Sequence, residues 1–202
     1  MTEKPRGRPR SYDPDTALWQ ALETFWGGSF TGTSLDALAA ATGMNRPSLY
    51  AAFGDKKSLY LKSFDLVAGL MKAALRRTVE AEKPLEAALG DFYNEAIAIY
   101  RSGPDGARGC FILCTAPAEA ATDSDIRAAL VTTLKEIDGG LAMLFEKGKA
   151  AGDLSPAADT TARAQIAASV LHSLAIRARA GASKKELDAL AQHTVQMLCR
   201  DM

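Results

Sequence analysis

An all-α chain of about nine helices, arranged as two domains, is what this sequence predicts, and three observations carry that reading. Apolar residues recur three and four apart almost throughout, which is the period of a helix with one face turned inward. No segment of useful length alternates β-branched with polar residues as a half-buried strand would. Glycine and proline breaks cut the chain into helix-length pieces. Hydrophobic residues make up 48% of the 202, too many for a disordered chain, while 24% charged residues suit a surface facing water. No apolar run approaches the roughly 18 residues of a membrane span, and none follows the basic N-terminus as in a secretory signal. Three cysteines, an odd number, argue against a disulfide framework and for a reducing cytoplasm.

Asp13-Pro14 opens the first helix as an N-cap with proline in the first turn; Leu18, Leu22 and Phe25 form its stripe, and Gly27-Gly28 reads as the break after it. Thr33 is placed to cap a second helix over Ser34 to Thr42, with Asp36 as the reciprocal acid of its first turn. Leu35 and Leu38 point inward, and Ala39 lets another helix cross closely. Gly43 ends that helix in the left-handed conformation that only glycine adopts cheaply. Asn45 caps a short third helix, Pro47 is tolerated in its first turn, and Leu49 and Phe53 anchor it. A long fourth helix, opened by Asp55, carries Tyr60, Phe64, Val67, Met71 and Ala74.

Pro84 starts a fifth helix with Leu85, Leu89, Phe92, Ala96 and Ile99, closed by the Gly103-Pro104-Asp105-Gly106 loop. Cys110 and Cys114 fall four apart on the next helix. Ser124-Asp125 then begins a stripe through Ile126, Leu130, Leu134, Ile137, Leu141 and Leu144. Ser155-Pro156 reads as the start of the penultimate helix, and Ser183 with Glu186 forms a capping box for the last. From Ala164 to Ile176 the penultimate helix carries no formal charge on any face. Such a helix is buried on both sides, either between its own domain and a second subunit or at the centre of a monomer. With the first reading, charged substitutions at Leu171 or Leu174 are expected to break a homodimer.

Net charge is zero, with 24 basic and 24 acidic residues, but the distribution is uneven. Lys4, Arg6, Arg8 and Arg10 face a single Glu3 in the first ten residues, a concentration suited to phosphates. A helix, a tight glycine turn and a second short helix between Thr33 and Phe53 have the geometry that sets a recognition helix in the major groove of DNA. Asn45, Arg46 and Ser48 then lie where base edges are contacted, and Tyr50 and Lys56 where phosphates are held. Spacing alone leaves an ordinary helical hairpin as an equal alternative.

The wider segment from Thr33 to Leu59 resembles the DNA-binding domain of the TetR/AcrR family of bacterial regulators. The features that carry the resemblance are Phe30, Thr33-Ser34, Ala39 with Gly43, Leu49-Tyr50, Phe53 and Lys56-x-x-Leu59. It implies phosphate contacts at Thr33, Tyr50 and Lys56 and groove-facing readers at Arg46, Pro47 and Ser48. Lys57 stands where the family often has an acid, which would add a phosphate contact. The resemblance further implies a DNA-binding domain over residues 1–55 and a regulatory and dimerisation domain over 56–202. Its last two helices would pair with those of a second copy in a four-helix bundle. The chain is thus expected to be a cytoplasmic homodimer on double-stranded operator DNA, most often a repressor, released by a small-molecule effector. The helix from Asp55 to about Val79 would carry that signal. The N-terminal Arg6-Gly7-Arg8-Pro9-Arg10 resembles the core of an AT-hook, which reads the minor groove; a solvated basic tail is the alternative.

Other constellations carry less. Cys110 and Cys114 would form a thiol sensor or half a metal site, but no adjacent His or Cys completes a zinc set, and buried cysteine commonly serves as a small hydrophobe. His172 reads as a core or interface histidine, and the aromatics Phe92, Tyr93, Tyr100, Phe111 and Phe145 as core or pocket. No phosphate loop, nucleophile elbow or His-Glu-x-x-His pair is present, so no catalytic residue, cofactor or metal is expected. The competing class is a helical ligand-binding or scaffold protein that does not select DNA sequences.

Overall fold

The computed structural model describes residues 12–103 and 105–200, which form nine α-helices and two compact units, one ending at Ser63 and the other beginning at Phe64. The sequence expectation places the boundary eight residues earlier, at Asp55.

In the first unit, α1 (Pro14–Gly32) starts at Asp13, whose carboxylate accepts from Thr16 N at 3.0 Å and from the Thr16 hydroxyl at 2.6 Å. The helix does not stop at Gly27-Gly28: it kinks at Ser29, which has φ 58° and ψ −178°, and runs on to Gly32. Its buried side, Ala21, Leu22, Phe25 and Trp26, packs on α2 (Leu35–Thr42), and α3 (Arg46–Phe53) follows the Gly43 turn. Phe25, Phe30 and Tyr60 form an aromatic cluster, Phe25 meeting Tyr60 edge-on at 5.3 Å and Phe30 meeting it at 5.2 Å. Tyr60 lies near the start of α4 (Lys56–Glu80), so that helix closes the core of the first unit with its opening turns.

The second unit holds the rest of α4, then α5 (Leu85–Tyr100), α6 (Phe111–Glu119), α7 (Ser124–Ala151), α8 (Thr160–Arg179) and α9 (Lys184–Leu198). Helix α8 lies against α5, α6, α7 and α9, and its small residues Ala164, Ala167, Ala168, Ala175 and Ala178 let those neighbours approach closely. Phe92, Tyr93, Tyr100, Phe111 and Phe145 are all buried here, and the Tyr93 hydroxyl donates to the Ala167 carbonyl at 2.9 Å.

Some helix ends in this unit are closed from a distance. Pro84 offers no side-chain acceptor to α5, and the orphan N–H of Leu85 donates instead to Asp153 Oδ2 at 2.8 Å. Lys147 donates to the carbonyls of Val79 and Ala81 at the end of α4, and Arg127 to those of Ala120 and Ala121 after α6. Helix α8 begins at Thr160 behind an Asp159 cap, not at Ser155-Pro156, which form a turn before it. The Ser183–Glu186 capping box opens α9 as the sequence indicates.

The uncharged stretch of α8 has two different sides. Leu171 and Leu174 are buried in their own unit, whereas Ile166 and Ile176 are 44% and 58% exposed and share their face with Ser169 and Ser173. Met197 is exposed on α9. Among the described residues no helix is long and apolar enough to cross a membrane.

Candidate nucleic-acid interface

Local chemistry builds the helix-turn-helix. The α2 cap is Ser34, whose hydroxyl accepts from Ala37 N at 3.1 Å; Thr33, expected there, is one residue too early. Thr33 is only 3% exposed, and its hydroxyl donates to the Ser29 carbonyl at 2.6 Å, so its side chain closes the α1–α2 turn instead of facing outward. Gly43 has φ 63°, the left-handed geometry its place in the sequence requires. Asn45 then caps α3, its Oδ1 accepting from Ser48 N at 2.8 Å, and Leu49 and Phe53 bury the helix's inner side.

What remains outward is polar. Asn45, Arg46 and Pro47 are exposed at the start of α3, Ser48 is half-buried, and Tyr50 is 46% exposed one turn on. Arg46 is paired across the turn: Asp36 Oδ1 accepts from its Nε at 2.9 Å and its Nη2 at 2.6 Å. That hydrogen bond and the carboxylate's charge hold the guanidinium firmly protonated. Asp36 therefore does not complete a capping box; it reaches across to α3. Lys56, at the first position of α4, places its Nζ 4.6 Å from the centre of the Phe30 ring. A cation at a helix N-terminus opposes the dipole there, and the ring supplies a compensating contact. Asp55, before it, accepts from Ser58 N at 2.7 Å, which holds its carboxyl below the usual range.

Sequence reasoning did not foresee a cleft beside α1. Its first turn and the α2–α3 turn enclose an open cleft of about 360 Å³ lined by Tyr12, Asp13, Thr16, Gly43, Asn45 and Ser48 among others. The Asp13-Pro14 start, directly after the basic arm, was the available signal. Arg6, Arg8 and Arg10 of that arm lie outside the described residues.

Elsewhere the structure keeps the reactive side chains quiet. Cys110 is the buried residue just before α6, and burial pushes its thiol up to about 11; Cys114, half-buried, is also raised by burial. Burial likewise raises Cys199, to about 12. Thiols so far from ionisation at neutral pH behave as small apolar groups. Burial depresses the basicity of His172, against an opposing pull from Asp138. Asp123 caps α7, its carboxylate accepting from Asp125 N and Ile126 N. Among the described residues no group of three or more His, Cys, Asp or Glu side chains comes together as a metal set.

Residues 18–62 match the family described as bacterial regulatory proteins, tetR family, and residues 86–194 match the tetracyclin repressor-like C-terminal domain. The chain is 31% identical over 196 residues to the HTH-type transcriptional repressor ComR of Escherichia coli (strain K12), covering 96% of this chain and 93% of that one. The chain belongs to the tetR family. This tetR-family regulator is also 32% identical over 107 residues to the HTH-type transcriptional repressor BdcR of the same organism, across 53% of this chain and 54% of that one. Among solved structures it superposes with a TM-score of 0.85 and 28% identity on a cysteine mutant of the TetR-family regulator CifR complexed with 26-bp operator DNA, covering 94% of this chain and 98% of that one. The helical hairpin without DNA-binding function, left open by spacing alone, gives way to the helix-turn-helix of a transcriptional regulator.

Proposed function

We propose that this regulator is a cytoplasmic, non-enzymatic homodimer that binds double-stranded operator DNA and represses transcription until a small-molecule effector in the second unit releases it. One observation carries the reading: α3 presents Arg46, Ser48 and Tyr50 outward from a helix-turn-helix whose inner side is fully packed. In this reading residues 1–55 form the DNA-binding domain, joined by Lys56 at the start of α4, and Asn45, Arg46, Pro47 and Ser48 approach base edges in the major groove. Tyr50 and Lys56 hold phosphates, and the arginines of the N-terminal arm enter the adjacent minor groove. The likeness to a regulator caught on its operator supports the same placement here. The uncharged outer face of α8, continued by α9, is the surface on which a second copy pairs.

Selection of bound fragments from sheared genomic DNA, followed by titration at several salt concentrations, tests this. The wild-type chain is expected to select discrete sites. Arg46→Ala relaxes sequence preference, since a bidentate arginine–guanine pair discriminates by about 1–3 kcal/mol. Lys56→Ala weakens binding to all sequences and lowers the salt slope by about one. Absence of discrete sites would favour a helical ligand-binding or scaffold protein instead.

A further inference from the structure

The ion pair between α2 and α3 has no evident use in folding. Both partners are well exposed, 53% for Arg46 and 75% for Asp36, and pairs of that kind contribute little to stability. Its geometry is more informative than its strength. Arg46 approaches Asp36 Oδ1 with its Nε–Nη2 edge. A guanidinium has five N–H groups; two are committed here, and the remaining three lie on Nη1 and Nη2. That free end presents a parallel pair of N–H donors, the arrangement that matches O6 and N7 of guanine. An unpaired arginine at the start of a helix samples many rotamers, and ordering it on contact with DNA costs entropy.

We infer that Asp36 is a positioning residue for DNA reading: it holds Arg46 side-on so that the free end of the guanidinium is aimed at guanine. The inference rests on the proposed reading of bases by Arg46 and adds both the base and the residue that fixes the geometry. Asp36 itself is an exposed acid on the surface proposed to face DNA. Its removal therefore strengthens attraction to DNA in general while weakening discrimination at one position. A merely structural residue does not move those two quantities in opposite directions.

The test uses the full-length chain and a randomised duplex library, with the wild type, Arg46→Ala, Asp36→Ala, Asp36→Asn and the Asp36→Ala/Arg46→Ala double variant. Enrichment ratios between bases at one position do not depend on the fraction of protein that is folded. The wild type is expected to prefer guanine at one position of each half-site, and Arg46→Ala to lose that preference. Asp36→Ala should lose at least about fivefold of it, the lower end of what a bidentate pair discriminates, while affinity for random duplex rises. Asp36→Asn, which keeps an oxygen acceptor without the charge, should fall between, and the double variant should match Arg46→Ala. If Arg46→Ala changes preference at no position, the reading by Arg46 itself fails. If Arg46→Ala loses the preference and Asp36→Ala keeps it, or if Asp36→Ala weakens all sequences alike, positioning by Asp36 is overturned and the base reading stands.

Discussion

Ser29 is the one non-glycine with positive φ among the described residues, and its ψ of −178° puts it in a region that glycine alone occupies without strain. The conformation is held by the chain around it. Thr33 donates its hydroxyl to the Ser29 carbonyl, and the Ser29 hydroxyl accepts from Gly32 N at 3.4 Å. Ser29→Gly is therefore expected to stabilise the first unit by about 1 kcal/mol or more in chemical denaturation, and Ser29→Val to destabilise it. An unchanged midpoint for both would show that the strain is relieved in solution. The same residue explains where the sequence misled. Gly27-Gly28 has the composition of a break, yet both residues stay helical and the kink falls on a serine. Caps at Asp13, Asn45 and Ser183 were legible because a cap bonds a backbone N–H two or three residues ahead. Thr33 and Ser34 are adjacent hydroxyls with equal capping chemistry, and only packing decides which of them turns inward.

Between elements, one close crossing is where the segment before α6 meets α8. Gly109 has φ 68°, and a Cβ there would lie 2.9 Å from the Ala175 carbonyl oxygen and 2.7 Å from Cys114 Sγ. The segment is tied on both sides: Gly109 N donates to the Tyr100 carbonyl at 2.8 Å, and Arg179 Nη1 to the Arg108 carbonyl at 3.2 Å. Gly109→Ala combines backbone strain with overpacking, and a loss of about 2–4 kcal/mol is expected in equilibrium unfolding of the second unit. A loss below about 0.5 kcal/mol, the range of an ordinary surface change, would contradict that close approach. Such contacts mark the limit of reading by pattern. Helical periodicity located α1, α4, α5 and α7, since it depends on residues three and four apart. The carboxylate that closes α5 comes from the turn after α7, and the cations that close α4 and α6 come from α7 itself, up to 68 residues away. Charges that look like a solvated surface in the sequence are thus helix caps. Asp36 and Arg46, ten residues apart across a turn, escaped notice for the same reason.

For the whole molecule, the outer side of α8 is decisive. Composition identified an uncharged helix but not which leucines face which way. Leu171 and Leu174 belong to the unit's own core, so glutamate at either is expected to unfold the chain instead of separating two copies. Ile166→Glu and Ile176→Glu place charge on the exposed side, and sedimentation should then find a folded monomer where the wild type is a dimer. A proposed interface of this kind should bury at least about 1,000 Å² in total. A wild-type chain that sediments as a folded monomer at micromolar concentration would sink the pairing.

The Asp36–Arg46 pair has a consequence in time. A side chain already held in one rotamer gives up less freedom when it meets a base, so the saving goes to complexes whose contact geometry is right. Encounter with DNA is governed by diffusion and long-range charge, neither of which distinguishes one base pair from another. Correct and incorrect sites should then be found equally fast and differ in how long the protein stays, with the pair lengthening residence only where guanine is present.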